Sequence, residues 1–71
     1  MSGRIQVKWE YLFLYYMYGE LKGINDGKPA ARLKKLSMAE CANQLGEEGW
    51  ELTSYIRDIQ VQYLTFKRPK D

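Results

Sequence analysis

The chain has 71 residues, 28% of them charged, with a formal net charge of +2, one cysteine and no histidine. A chain of this length makes one domain with a thin core, and a single core below roughly 70 to 80 residues seldom supplies more than about 3 to 5 kcal/mol, so a supplement is expected. A lone Cys41 excludes an intramolecular disulfide and the lack of histidine excludes a Cys/His zinc site within one chain, which leaves oligomerisation as the expected supplement.

From Ile5 to Met17 the odd positions Ile5, Val7, Trp9, Tyr11, Phe13, Tyr15 and Met17 form an apolar row of period two, which predicts a strand. The even positions start polar (Gln6, Lys8, Glu10) and turn apolar at Leu12, Leu14, Tyr16 and Tyr18. The second half of the strand is therefore expected to be covered on both faces. Gly19 to Leu36 follows, with three glycines, a proline and the turn signal Asn25-Asp26-Gly27. It reads as a long connection, or as a strand extension with a hairpin tip and a return.

Ser37 opens a helix. Ser37 and Glu40 have the S-x-x-E spacing of a capping box, and Leu36 and Cys41 stand where a hydrophobic staple would. Met38, Cys41, Ala42 and Leu45 fall on one helical face, Gly46 is the expected left-handed stop, and Gly49 is a second break. Trp50 to Ile56 reads as a strand with Trp50, Leu52 and Ile56 on one face and Glu51, Thr53 and Tyr55 on the other. Arg57-Asp58 is the expected turn, and Ile59 to Lys67 alternates again, giving a hairpin that stops before Pro69. The indole of Trp50 is expected to pack on the apolar face of the helix, and Trp9 is likewise read as structural. The whole is an α+β single domain over residues 1–71: a small antiparallel sheet of about three strands, in the order β-α-β-β, with one helix packed on one face.

Three blocks carry a resemblance: "WEY" at Trp9 to Tyr11, "LGEEGWEL" at Leu45 to Leu52, and "YLTFKRP" at Tyr63 to Pro69. In this order they resemble a family of small bacterial and phage proteins that is catalogued as a domain of unknown function. The resemblance implies the strand, helix and hairpin reading and brings no activity with it. The Gly19 to Leu36 segment looks longer and more basic than is usual in that family.

Charge is unevenly spread. Residues 19–36 hold five basic and two acidic residues, +3, and residues 37–52 hold four acidic residues, −4. The basic connection (Lys22, Lys28, Arg32, Lys34, Lys35), with Tyr16 and Tyr18 nearby, is the candidate site for a small anionic or nucleotide-like ligand. The full phosphate-loop pattern is missing, so an ATPase is not expected. No catalytic constellation emerges: there is no histidine base, Cys41 belongs to the apolar helix face and Ser37 is occupied as a cap, so no enzyme and no cofactor are expected. Glu47-Glu48 opposes the helix dipole and is not explained by helix stability. With one helix for two sheet faces, Leu12, Leu14, Tyr16 and Tyr18 are expected to join Leu64 and Phe66 in an apolar patch that makes a homo-oligomer.

The leading expectation is a non-catalytic module that self-associates and binds a protein partner. A sequestering protein for a small anionic ligand, in a phage-encoded case acting in the host-cell cytoplasm, is the alternative. A nucleic-acid binder ranks third, its basic charge being modest and interrupted by the acidic helix. No run is long and apolar enough to span a bilayer, and the start has no signal-peptide core, so a cytoplasmic location is expected.

Overall fold

A computed structural model describes residues 6–25, 27 and 31–70. Four antiparallel strands form one sheet in the order β2-β1-β4-β3: β1 (Lys8–Met17), β2 (Glu20–Ile24), β3 (Glu51–Arg57) and β4 (Val61–Lys70). Two helices, α1 (Ala31–Lys34) and α2 (Met38–Glu47), lie on one face. The α+β class holds. The strand beyond the expected three is β2, inside the segment read as a connection or as a strand extension with a hairpin tip, and its turn is at Tyr18-Gly19. Tyr18 and Gly19 both have positive φ (53° and 78°) and link Met17 to Glu20 as a two-residue hairpin of the mirror-image type whose twist suits adjoining strands. β2 then closes at Asn25, whose side-chain oxygen accepts from the Phe13 amide at 3.0 Å. α1 follows and buries Leu33.

The central pair β1 and β4 runs in continuous register from Lys8↔Lys70 to Met17↔Val61. Residues opposite one another share a face, so the even row of β1 meets Phe66 and Leu64 at Leu12 and Leu14. That row faces the helices. Leu14, Tyr16, Leu21, Leu33, Cys41, Leu45, Leu64 and Phe66 form the core, each at most 3% exposed. The expectation for β1 is thus reversed: Leu14, Tyr16, Leu64 and Phe66 are core, Leu12 packs against it, and the odd row is the bare one. The cause is the polar lead-in. Lys8 and Glu10 belong to the helix-side row but lie toward its end, where Glu10 meets Arg68, while Leu12, Leu14 and Tyr16 fall under the helices.

α2 begins as expected. The Ser37 hydroxyl accepts from the Glu40 amide at 3.1 Å, and the Glu40 carboxylate accepts from the Ser37 amide at 2.9 Å. Its end differs. Gly46 stays helical, Glu48 is the C-cap, and Gly49, at φ +93°, is the left-handed residue. Gly49 N–H donates to Gly46 O and Trp50 N–H to Leu45 O, both at 3.0 Å. This is the Schellman arrangement, which brings Trp50 back toward Leu45. Trp50 accordingly packs against the core, as expected of it.

β3 also departs from simple alternation. The register shifts between Leu52 and Ser54, so Leu52 pairs with Phe66, Tyr55 with Leu64 and Ile56 with Tyr63. The bulge puts Tyr55 on the helix side and Ile56 on the open side, exchanging their expected places. β4 continues through Pro69, which lies beyond the start of β3 and has β1 alone beside it, a place where a residue without an N–H is tolerated.

Candidate functional site

The open face of the sheet is set by the odd row of β1 and its partners. Trp9, Tyr11, Phe13 and Tyr15 project from it with Tyr63 and Ile56, each between 37% and 59% exposed. These side chains order one another. Tyr15 and Tyr63, cross-strand partners, have ring centroids 6.5 Å apart at 35°. The Tyr15 ring also lies over Gly23 so closely that a Cβ there would come within 2.2 Å of it, which is why that position of β2 carries no side chain. Lys67 places its ammonium 4.2 Å from the centroid of the Trp9 ring, a cation–π contact. Trp9, expected to be structural, is thus part of the bare face.

Charge on this face is balanced. Lys67 stands opposite Glu51 in the β3–β4 register. At the β2 edge the Glu20 carboxylate accepts from the Lys22 ammonium at 3.0 Å, and that hydrogen bond and charge hold the Glu20 carboxyl below its usual range.

A second cluster lies on the helix side, where the three sequence blocks meet. Arg68 donates through Nε to the Glu10 carboxylate and through Nη1 to the Glu48 carbonyl, both at 2.9 Å, and its guanidinium lies 4.3 Å from the Trp50 ring centroid. Arg32 donates twice to the Glu48 carboxylate, at 2.7 and 3.0 Å. One guanidinium therefore sits at a C-terminal carbonyl of α2, and Glu48, unexplained by helix stability, is the carboxylate that ties α1 to α2. Every charged member has its partner inside the cluster, so it is a clasp for the fold.

Among the described residues, those expected to hold an anion do not converge. Tyr16 is fully buried, Tyr18 sits in the β1–β2 turn, Arg32 is paired with Glu48, and Lys35 is exposed just after α1. Lys34 lines a shallow cleft with Glu20, Leu21 and Lys22. Lys28 lies outside the described residues. The Tyr16 hydroxyl is buried with no nitrogen or oxygen partner, its polar neighbour being the Cys41 thiol, a weak one. Burial first, and the neighbouring Cys41 thiol second, push its pKa far above the ordinary tyrosine range.

Among the described residues no three or more acidic or cysteine side chains are grouped to hold a metal, and no helix is long and apolar enough to cross a membrane. The bare aromatic face is the feature that sequence reading assigned to the wrong row. Alternation shows two apolar rows over the second half of β1, and the helices cover the even one. No family model, curated protein or solved structure matches the chain.

Proposed function

We propose that the protein is a small non-catalytic interaction module that works by contact with protein through the open face of its sheet. The observation that carries this reading is the row Trp9, Tyr11, Phe13 and Tyr15 with Tyr63 and Ile56, a contiguous apolar surface with one flanking lysine and one flanking glutamate. Aromatic residues are enriched at the centres of protein interfaces, where charge is depleted. An exposed apolar patch of this extent marks a binding surface. We also place the protein, on its three sequence blocks, with the uncharacterised bacterial and phage family that it resembles, and its lone buried thiol fits a reducing cytoplasm.

The test is hydroxyl-radical footprinting inside the cell. Tyr11, Phe13, Tyr15 and Tyr63 should be oxidised several-fold less than the turn residues Tyr18 and Ile59. Oxidation of all six in proportion to their exposure in a single chain would overturn the reading.

The runner-up is a small anionic ligand held at the cleft where Lys34 and Lys22 approach Leu21. Its support is two lysines at one edge, of which Lys22 is already paired with Glu20. Calorimetric titration with nucleotides decides it: saturable binding lost in Lys34→Ala would replace the first reading.

A further inference from the structure

Resting on the reading of the open face as a protein contact surface, we infer that its occupant is a second copy of this chain, the two sheets packing face to face. Three observations identify the partner. The first is surface. Trp9, Tyr11, Phe13, Tyr15, Ile56 and Tyr63 are each between 37% and 59% exposed on one sheet face, an apolar patch of the kind that a partner covers.

The second is area. Strand lengths and ordinary strand spacing give the open face a projected area of about 500 Å². Two copies face to face therefore bury at least about 1,000 Å², which reaches the size at which specific interfaces begin. The resulting two-sheet sandwich would have its second apolar layer where the single chain has solvent, with an inter-sheet spacing of about 10 Å that rings of this size fill.

The third is charge. On the face, Lys67 stands opposite Glu51 in the β3–β4 register, one charge of each sign. A neutral face meets its own copy without repulsion, whereas a nucleic acid would require an excess of positive charge that this face does not have. A self-complementary patch also closes on itself under two-fold symmetry and stops at a dimer.

Sedimentation equilibrium and footprinting on the same purified sample test this. The wild type should show twice the 8.4 kDa chain mass, with Tyr11, Phe13, Tyr15 and Tyr63 protected several-fold relative to Tyr18. Phe13→Glu places a charge at the middle of the face without touching the core, and should return the mass to a single chain and remove the protection while the circular dichroism stays that of the wild type. Should that variant lose its fold, Tyr63→Glu makes the same test. A purified monomer whose face is labelled freely, alongside protection in the cell, would overturn the second copy and leave the contact surface standing. Free labelling in both settings would overturn both. A dimer that survives Phe13→Glu and Tyr63→Glu with an unprotected face would show that the copies meet elsewhere.

Discussion

At the scale of single residues the least comfortable atom is the Tyr16 hydroxyl. A buried polar group left with only a weak thiol neighbour costs up to roughly 1–3 kcal/mol, and removing it while keeping the ring leaves packing unchanged. Tyr16→Phe should therefore stabilise the protein by about 1 kcal/mol, read as a rise in the urea midpoint at neutral pH. The pH dependence follows from the same burial. The folded state holds the Tyr16 proton far above the ordinary tyrosine range, while the unfolded chain loses it from about pH 10. Above that pH the unfolded state binds fewer protons, so stability falls as pH rises. The wild type should consequently lose more stability than Tyr16→Phe between pH 8 and about 11, and an unchanged gap between them would refute the assignment. Other residues were readable from the sequence in kind but not in place. Trp50 packs on the core as its glycine-rich entry implies, yet the left-handed residue is Gly49 and not Gly46. Both glycines follow Leu45 closely, and only the hydrogen bonds of the last turn distinguish them.

At the scale of elements, α2 is the part most fully written in the sequence, because a capping box and a 3.6-residue apolar repeat are local signals. Ser37→Ala should cost about 1 kcal/mol through loss of the cap. The cap also titrates. Hydrogen bonds from the Ser37 amide and then its hydroxyl hold the Glu40 carboxyl below its usual range. The stability this brings is present above the unfolded carboxyl pKa and is lost as pH falls through the lower folded value. Glu40→Gln should thus narrow the gap in thermal midpoint between pH 7 and pH 3, measured against the wild type. The strands were less legible. β2 was hidden because its hairpin turns on Tyr18-Gly19, and tyrosine is not a residue expected at positive φ. The bulge in β3 was hidden because period-two reading assumes unbroken register, and one extra residue transposes everything after it. The open face was misassigned for a related reason: alternation shows that β1 has two apolar rows over its second half, but only the reach of a ten-residue helix decides which one is covered.

At the scale of the whole molecule, Arg68 joins β1, β4 and the end of α2 in one place. A lysine keeps the charge opposite Glu10 but cannot also reach the Glu48 carbonyl and lie flat on Trp50. Because the guanidinium is about one-third exposed, solvent weakens the ionic part. Arg68→Lys should still cost about 1 kcal/mol, or roughly 4–8 °C in a domain of this size. The same long-range convergence explains why the three sequence blocks occur together: Glu10, Glu48, Trp50 and Arg68 are far apart in the chain and meet only once the sheet has formed.

A thin core beside a bare aromatic face makes stability and association one quantity when a second copy covers that face. If folding is completed by a second copy, unfolding of the dimer releases two chains, and mass action raises stability with concentration. Each tenfold increase then adds about 1.4 kcal/mol per dimer. Spread over the unfolding entropy of two 71-residue chains, that is about 5 °C in the thermal midpoint per tenfold increase in protein. Phe13→Glu, whose side chain lies outside the core, should melt at a lower temperature that does not depend on concentration. Calorimetry of both proteins over a hundredfold range separates the two behaviours. A wild-type midpoint that stays flat over that range would mean that the small core is sufficient by itself, and that the aromatic face is held open for a different protein.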